Sequence, residues 1–214
     1  MSDVGGIPVE RCTLSLPRFG AWRAVAKLIG GSAPTGPVSL TVGDLVLEGT
    51  VLRGGLDDSD DPSVTVVGAP GWDRAIRSPL SYQSDGGVRL RTVLADLSTR
   101  AAEPIDQPGD VSLGQAWAIP AAGRLRDALA ALHRAGRLER WRVDPDGVTR
   151  FGARAGAEVT SRAEVLKRDQ SLSQLEVGID SVADMLPGNL LEGATILRVL
   201  VHESRARLYA EVWT

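Results

Sequence analysis

Residues 38–55, VSLTVGDLVLEGTVLRGG, decide the fold. Val38, Leu40 and Val42 alternate with other residues, and Leu45, Leu47, Gly49 and Val51 resume the alternation after Gly43-Asp44. Period 2 on both sides of a two-residue Gly-Asp break predicts an antiparallel hairpin. The same period appears in Cys12, Leu14 and Leu16, and again in Trp22, Ala24, Ala26 and Leu28 after the break at Pro17 to Gly20. Val64 and Val66 resume it after the loop RGGLDDSDDPS. Gly and Pro clusters between these runs mark the turns, because strand interiors tolerate both residues poorly.

The C-terminal part returns to the same pattern. Trp141 and Val143 on one side of Asp144-Pro145-Asp146-Gly147, with Val148 and Phe151 on the other, predict a second hairpin. Proline presets φ in such a turn and glycine supplies positive φ. ATILRVLVHESRARLYAEVW predicts two strands joined around His202 to Arg205.

Two segments read as helices. Leu90, Val93, Leu94, Leu97 and Ala101 form one apolar face, with Arg91, Asp96 and Arg100 off it. Leu125, Ala128, Leu129 and Leu132 form a similar stripe, with Gly136 placed to end the helix and Arg134 in its last turn. The stretch between them, AAEPIDQPGDVSLGQAWAIP, reads as loop because of its early prolines and Gly109. The expectation is a mainly β chain with a few short helices (α+β). It divides into residues 1–105 and 106–214, each β-rich with one helix, or forms one intertwined unit. A further soft boundary falls near residue 155, where the polar run AGAEVTSRAEVLKRDQS begins. No internal repeat is evident.

Composition narrows the function. The 214 residues are 43% apolar, with 24 Lys and Arg against 27 Asp and Glu, a net charge of −3. Apolar content is too high and net charge too low for disorder. The balance also argues against a general nucleic-acid binder, which needs a basic footprint. One cysteine, Cys12, excludes an intrachain disulfide framework and multi-cysteine metal sites. Cys12 sits on an alternating apolar face and reads as a buried, inert thiol. No stretch approaches a membrane span. The start, MSDVGGIPVERC, shows no basic segment followed by an apolar run, so the expectation is no secretory signal and folding in a reducing cytoplasm.

The usual catalytic spacings are missing. GAPGWDRA lacks the Lys-Ser or Lys-Thr of a P-loop, and there is no G-x-G-x-x-G opening a helix, no H-E-x-x-H and no G-x-S-x-G. His133 lies near a helix end, where capping explains it. Asp57, Asp58, Asp60 and Asp61 lack the spacing of a calcium loop and read as a solvated hairpin tip that binds no metal. No catalytic, cofactor or metal site is expected. Five tryptophans hold most of the aromatic content, and Trp22, Trp72, Tyr209 and Trp213 are the candidate core or subunit-interface anchors.

Three patches resemble the tail hub (baseplate hub) proteins of tailed bacteriophages and related contractile particles. The first is LPRFGAWRAVAKL. The second runs from VSLTVGDLVLEGTVLRGG through VTVVGAPGWDRAIRSPLSY to GVRLRTVLADLSTRAAE. The third is WRVDPDGVTRFGAR, with LPGNLLEG further on. The resemblance implies β-barrel-like domains and a structural, non-enzymatic virion protein. It implies a ring of three that joins the tail tube to the central spike and baseplate, assembled in the host cytoplasm. The chain is short for that family. Kept beside this reading are another tube-end component of the same assembly and a carbohydrate- or peptidoglycan-active or binding domain.

Overall fold

The computed structural model describes residues 2–56, 62–121, 123–204 and 207–214. The chain opens with β1 (Asp3–Val4), β2 (Ile7–Pro17), β3 (Arg23–Leu28), β4 (Gly36–Val42), β5 (Leu45–Leu56) and β6 (Pro62–Val67). A second set of elements follows: a 3-10 turn (Pro70–Asp73), β7 (Leu80–Gln83), α1 (Leu90–Ala101), β8 (Ala116–Ile119), α2 (Leu125–Arg134), β9 (Trp141–Val143) and β10 (Thr149–Phe151). The last set is β11 (Ala163–Asp169), β12 (Gln174–Ile179), a 3-10 turn (Ala183–Met185), β13 (Leu190–Leu191), β14 (Ala194–Thr195), β15 (Arg198–Ser204) and β16 (Arg207–Trp213). The fold is mainly β with two short helices, as the sequence predicts.

The expected division at residue 105 is not the one the chain makes. One unit comprises residues 1–68 and 153–214, and the other is the stretch between them, Ala69–Gly152. Both helices therefore belong to the inserted unit, and the point near residue 105 falls inside it. Helix and strand signals alternate along the chain, whereas the division follows which segments pair at long range.

In the first unit β1–β4–β5–β6–β3–β2 are hydrogen-bonded in that order, and β1 also pairs with β2, closing a six-stranded antiparallel barrel. The hairpin read from residues 38–55 is present, with Val42 opposite Leu45 and Gly43 at φ 61° in the turn. Glycine takes that conformation without strain. The alternating residues point inward: Leu14, Ala24, Leu40, Leu47 and Val66 are fully buried. Strand β2 is the branch point. Its first residues pair with β1, and its edge from Arg11 to Pro17 pairs with β15, which leads on to β16, β12 and β11. Val177, Val199, Val201, Ala210 and Val212 form the buried face of this extension. His202 lies within β15 rather than in the turn expected there.

In the inserted unit the buried residues of α1 are Leu90, Val93, Leu94, Leu97 and Ala101, and those of α2 are Leu125, Ala128, Leu129 and Leu132, the two stripes read from sequence. Each buried leucine contributes about 2 kcal/mol of hydrophobic stabilisation. The loop expected between the helices contains β8, which pairs antiparallel with β7.

The inserted unit also carries a repeat that the sequence alone does not make evident. RLRTVLADL (89–97) and RLRDALAAL (124–132) share Arg, Leu, Arg, Leu, Ala and Leu at matching places, and each follows one strand of the β7–β8 pair. Each helix start is held by the segment preceding the other half's strand. Leu90 N–H donates to Val111 O at 2.9 Å, and Leu125 N–H to Arg74 O at 3.0 Å. Leu113 N–H donates to Val88 O, and Ile76 N–H to Gly123 O. Arg91 pairs with Asp110 and Arg126 with Asp73. After α1, Ser98 Oγ donates to Glu103 O at 2.7 Å; after α2, His133 Nδ1 meets Leu138 O at 2.9 Å. His133 thus ties off its helix end. The halves are related by a pseudo-twofold arrangement, because each of these contacts has a counterpart in the other half.

Candidate assembly surfaces

The four aromatic candidates occupy two different settings. Trp22 and Trp72 are core residues at 2% and 1% exposure. Trp22 seals the barrel against two glycines. A Cβ on Gly49 would stand 2.5 Å from the indole ring, and one on Gly68 would press on Nε1 and its neighbours. Both positions require glycine because the ring occupies the space of a side chain. Trp72 lies in the 3-10 turn of the inserted unit, where its Nε1 donates to Thr149 Oγ1 at 2.8 Å and its ring centroid lies 6.4 Å from that of Trp141. The turn packs against both α1 and α2.

Tyr209 and Trp213 stand on the half-exposed face of β16, opposite to buried Ala210 and Val212. Each meets its cross-strand partner on β15. The Tyr209 ring stacks on His202 with centroids 4.8 Å apart, and Arg198 lies over the Trp213 ring at 5.0 Å. Between them Glu211 accepts from His202 Nε2 at 3.1 Å and from Gln174 Nε2 at 2.6 Å. The side chains are therefore held before any partner arrives. Cross-strand pairs of this kind contribute about 0.2–1 kcal/mol each.

Two further surface features stand out among the described residues. Strand β11 has one neighbour, β12, and ends the sheet; its register shifts between Val165 and Lys167, and Leu166 there is 52% exposed. A bulged, charged edge resists indiscriminate pairing. The β5–β6 hairpin carries exposed Leu52 and Leu56. The four aspartates at its end, expected to bind no metal, lie outside the described residues.

Cys12 is buried, and burial first, then the charge of Glu203, pushes its thiol up to about 12. The sequence misses two features. One is the cap that Asp44 places on the turn at Val182. The other is a groove lined by Arg74, Arg77 and Arg100 in the inserted unit. The only sequence signal for the groove is an arginine count that the overall charge conceals.

No protein-family model matches the chain, and no curated protein matches it by sequence. Its fold is similar to the crystal structure of the 43 kDa tail protein of prophage MuSo2 from Shewanella oneidensis. The TM-score is 0.64 at 11% identity, over 99% of this chain and 95% of the other. It is also similar to the prophage tail protein gp18 from Listeria monocytogenes EGD-e, with a TM-score of 0.50 at 11% identity, over 95% of this chain and 87% of the other. At that identity the likeness is one of fold.

Proposed function

We propose that this chain is a structural subunit of a phage-type tail, placed at the hub where the tube meets the central spike and baseplate, as a ring of three copies. The observation that carries the reading is the fold likeness to a prophage tail protein over nearly the whole of both chains. Barrel, branched sheet and inserted unit are all covered, so the likeness is not that of a common barrel alone. The reading assigns the chain no catalysis, no cofactor and no specific nucleic-acid binding, and it places assembly in the host cytoplasm. One fold hosts many functions, so the assembly role rests on the surfaces the fold presents. A closed ring needs two different complementary patches on every copy, and the β15–β16 face with Tyr209 and Trp213 is offered as one of them.

The test is quantitative mass spectrometry of purified particles from cells that express the chain. Its presence there at three copies per particle supports the hub reading. Its absence overturns the tail reading, and cell-wall hydrolysis by the purified protein would favour the peptidoglycan-active alternative.

A further inference from the structure

The repeat in the inserted unit shows which side chains its reciprocal backbone bonds do not require. Counting from the matched contacts, Arg74, Arg77 and Arg100 of the first half occupy the places held by Val111, Gly114 and Ala135 in the second. The second half makes the same reciprocal bonds with no charge at those three places. The backbone bonds that join the two halves therefore do not depend on the three arginine side chains.

They line a groove of about 480 Å³, above buried Ile76, Leu80 and Leu125. Arg74 uses one Nη to donate to Arg100 O at 3.0 Å, and Arg100 Nε pairs with Asp96 at 2.9 Å. Arg77 makes no hydrogen bond or ion pair among the described residues. The nearby acids are engaged: Asp96 by Arg100 and Tyr82, Asp73 by Arg124 and Arg126, and Glu103 by Gly71 N–H and the charge of Arg74. An apolar floor beneath open guanidinium groups suits a carboxylate-rich peptide with apolar neighbours, because arginine forks hold carboxylates through paired hydrogen bonds.

The chain itself contains such a segment. Strands β5 and β6 stay paired up to Leu56 opposite Pro62, and the intervening residues are Asp57, Asp58, Ser59, Asp60 and Asp61. Leu52 and Leu56, 62% and 69% exposed, precede them. We infer that the Arg74–Arg77–Arg100 groove receives the aspartate-rich end of the β5–β6 hairpin of a second copy of this chain. The inference rests on the assembly reading only in requiring that copies meet. Groove and hairpin are two unlike, complementary surfaces, as a ring contact demands.

Two measurements test it on the full chain. In the first, a Ser59→Cys copy is mixed with a Ser78→Cys copy under a copper–phenanthroline oxidant; Ser78 lines the groove and Cys12 is buried. The expected product is a disulfide-linked heterodimer. An absent heterodimer overturns the inference, even if a Ser59→Cys/Ser78→Cys double variant closes a disulfide within one chain. In the second, a labelled peptide of residues 52–63 is titrated into a chain whose four aspartates are replaced by Asn. The expected result is binding that weakens at least about tenfold on Arg74→Glu with Arg77→Glu, and again between low and high salt. The Arg162→Glu control should bind as its parent does. Equal binding of an all-Asn peptide, or none at low salt, overturns the inference. Neither measurement depends on incorporation into particles, so the hub reading stands or falls separately.

Discussion

Asp44 and Val182 lie 138 residues apart, and the Asp44 carboxylate accepts the Val182 N–H at 2.7 Å. It also accepts from Ala183 N–H at 3.2 Å and from Ser181 Oγ at 2.6 Å. One side chain in the turn of the β4–β5 hairpin thus caps the start of a 3-10 turn in the C-terminal segment. Burial opposes the charge, but the bonds from Ser181, Ala183 and Val182 outweigh it and hold the carboxyl below its ordinary range.

Asp44→Ala should cost about 1–2 kcal/mol, allowing for the exposure of the site to water. The carboxylate's contribution is fully present above its unfolded pKa of about 3.9, and it is lost as pH falls through the lower folded value. Urea denaturation at pH 7 and at acid pH checks this: the gap between wild type and Asp44→Ala should narrow in acid. An unchanged gap would show that the charge contributes nothing.

Trp72→Ala should cost about 3–5 kcal/mol, as large-to-small core changes do. Thr149 is fully buried, so Thr149→Val leaves the indole N–H without its acceptor and should cost about 1–3 kcal/mol. The double variant Trp72→Phe with Thr149→Val should be less destabilised than the sum of its single changes. Thermal melts of the four proteins measure the coupling.

Gly49→Ala should lower stability by about 1–3 kcal/mol, because the new methyl meets the Trp22 ring. Gly55→Ala on the same strand meets nothing within 4 Å and should leave the melt close to wild type. Equal effects at the two sites would show that ring contact does not set the requirement for glycine.

What was legible in the chain was local. The stripes of Leu90 to Ala101 and Leu125 to Leu132, the Gly43-Asp44 hairpin and the Asp144 to Gly147 turn are written in neighbouring residues, with periods that only one element type fits. What was hidden depends on distance. Barrel closure rests on two residues of β1, too short for any period to show. Strand β11 sits in a polar run because it ends the sheet and half of it faces water. The repeat survives in the helices, but LSYQ and AWAI share no residue at matched positions, so the strands conceal it. The Asp44 cap and the arginine groove join segments that no window along the chain contains together. Residue type points to Trp22, Trp72, Tyr209 and Trp213 as anchors. Type alone did not separate the two buried rings from the two half-exposed ones.

Removing the chain from Tyr209 onward would abolish assembly, but it would also strip Ala210 and Val212 from the core. Tyr209→Ala and Trp213→Ala separate the effects. Each should retain the fold, losing about 1 kcal/mol or less of cross-strand contact, while incorporation into particles drops sharply if the rings anchor a subunit contact. Circular dichroism beside particle mass spectrometry reads both. Unchanged incorporation would remove the β15–β16 face from the proposed contacts.

The most direct test of the proposed function is the structure of the intact particle by cryo-electron microscopy. The account predicts three copies of this chain in a closed ring between the tail tube and the central spike. Six copies, a single copy, or a particle without the chain would contradict it.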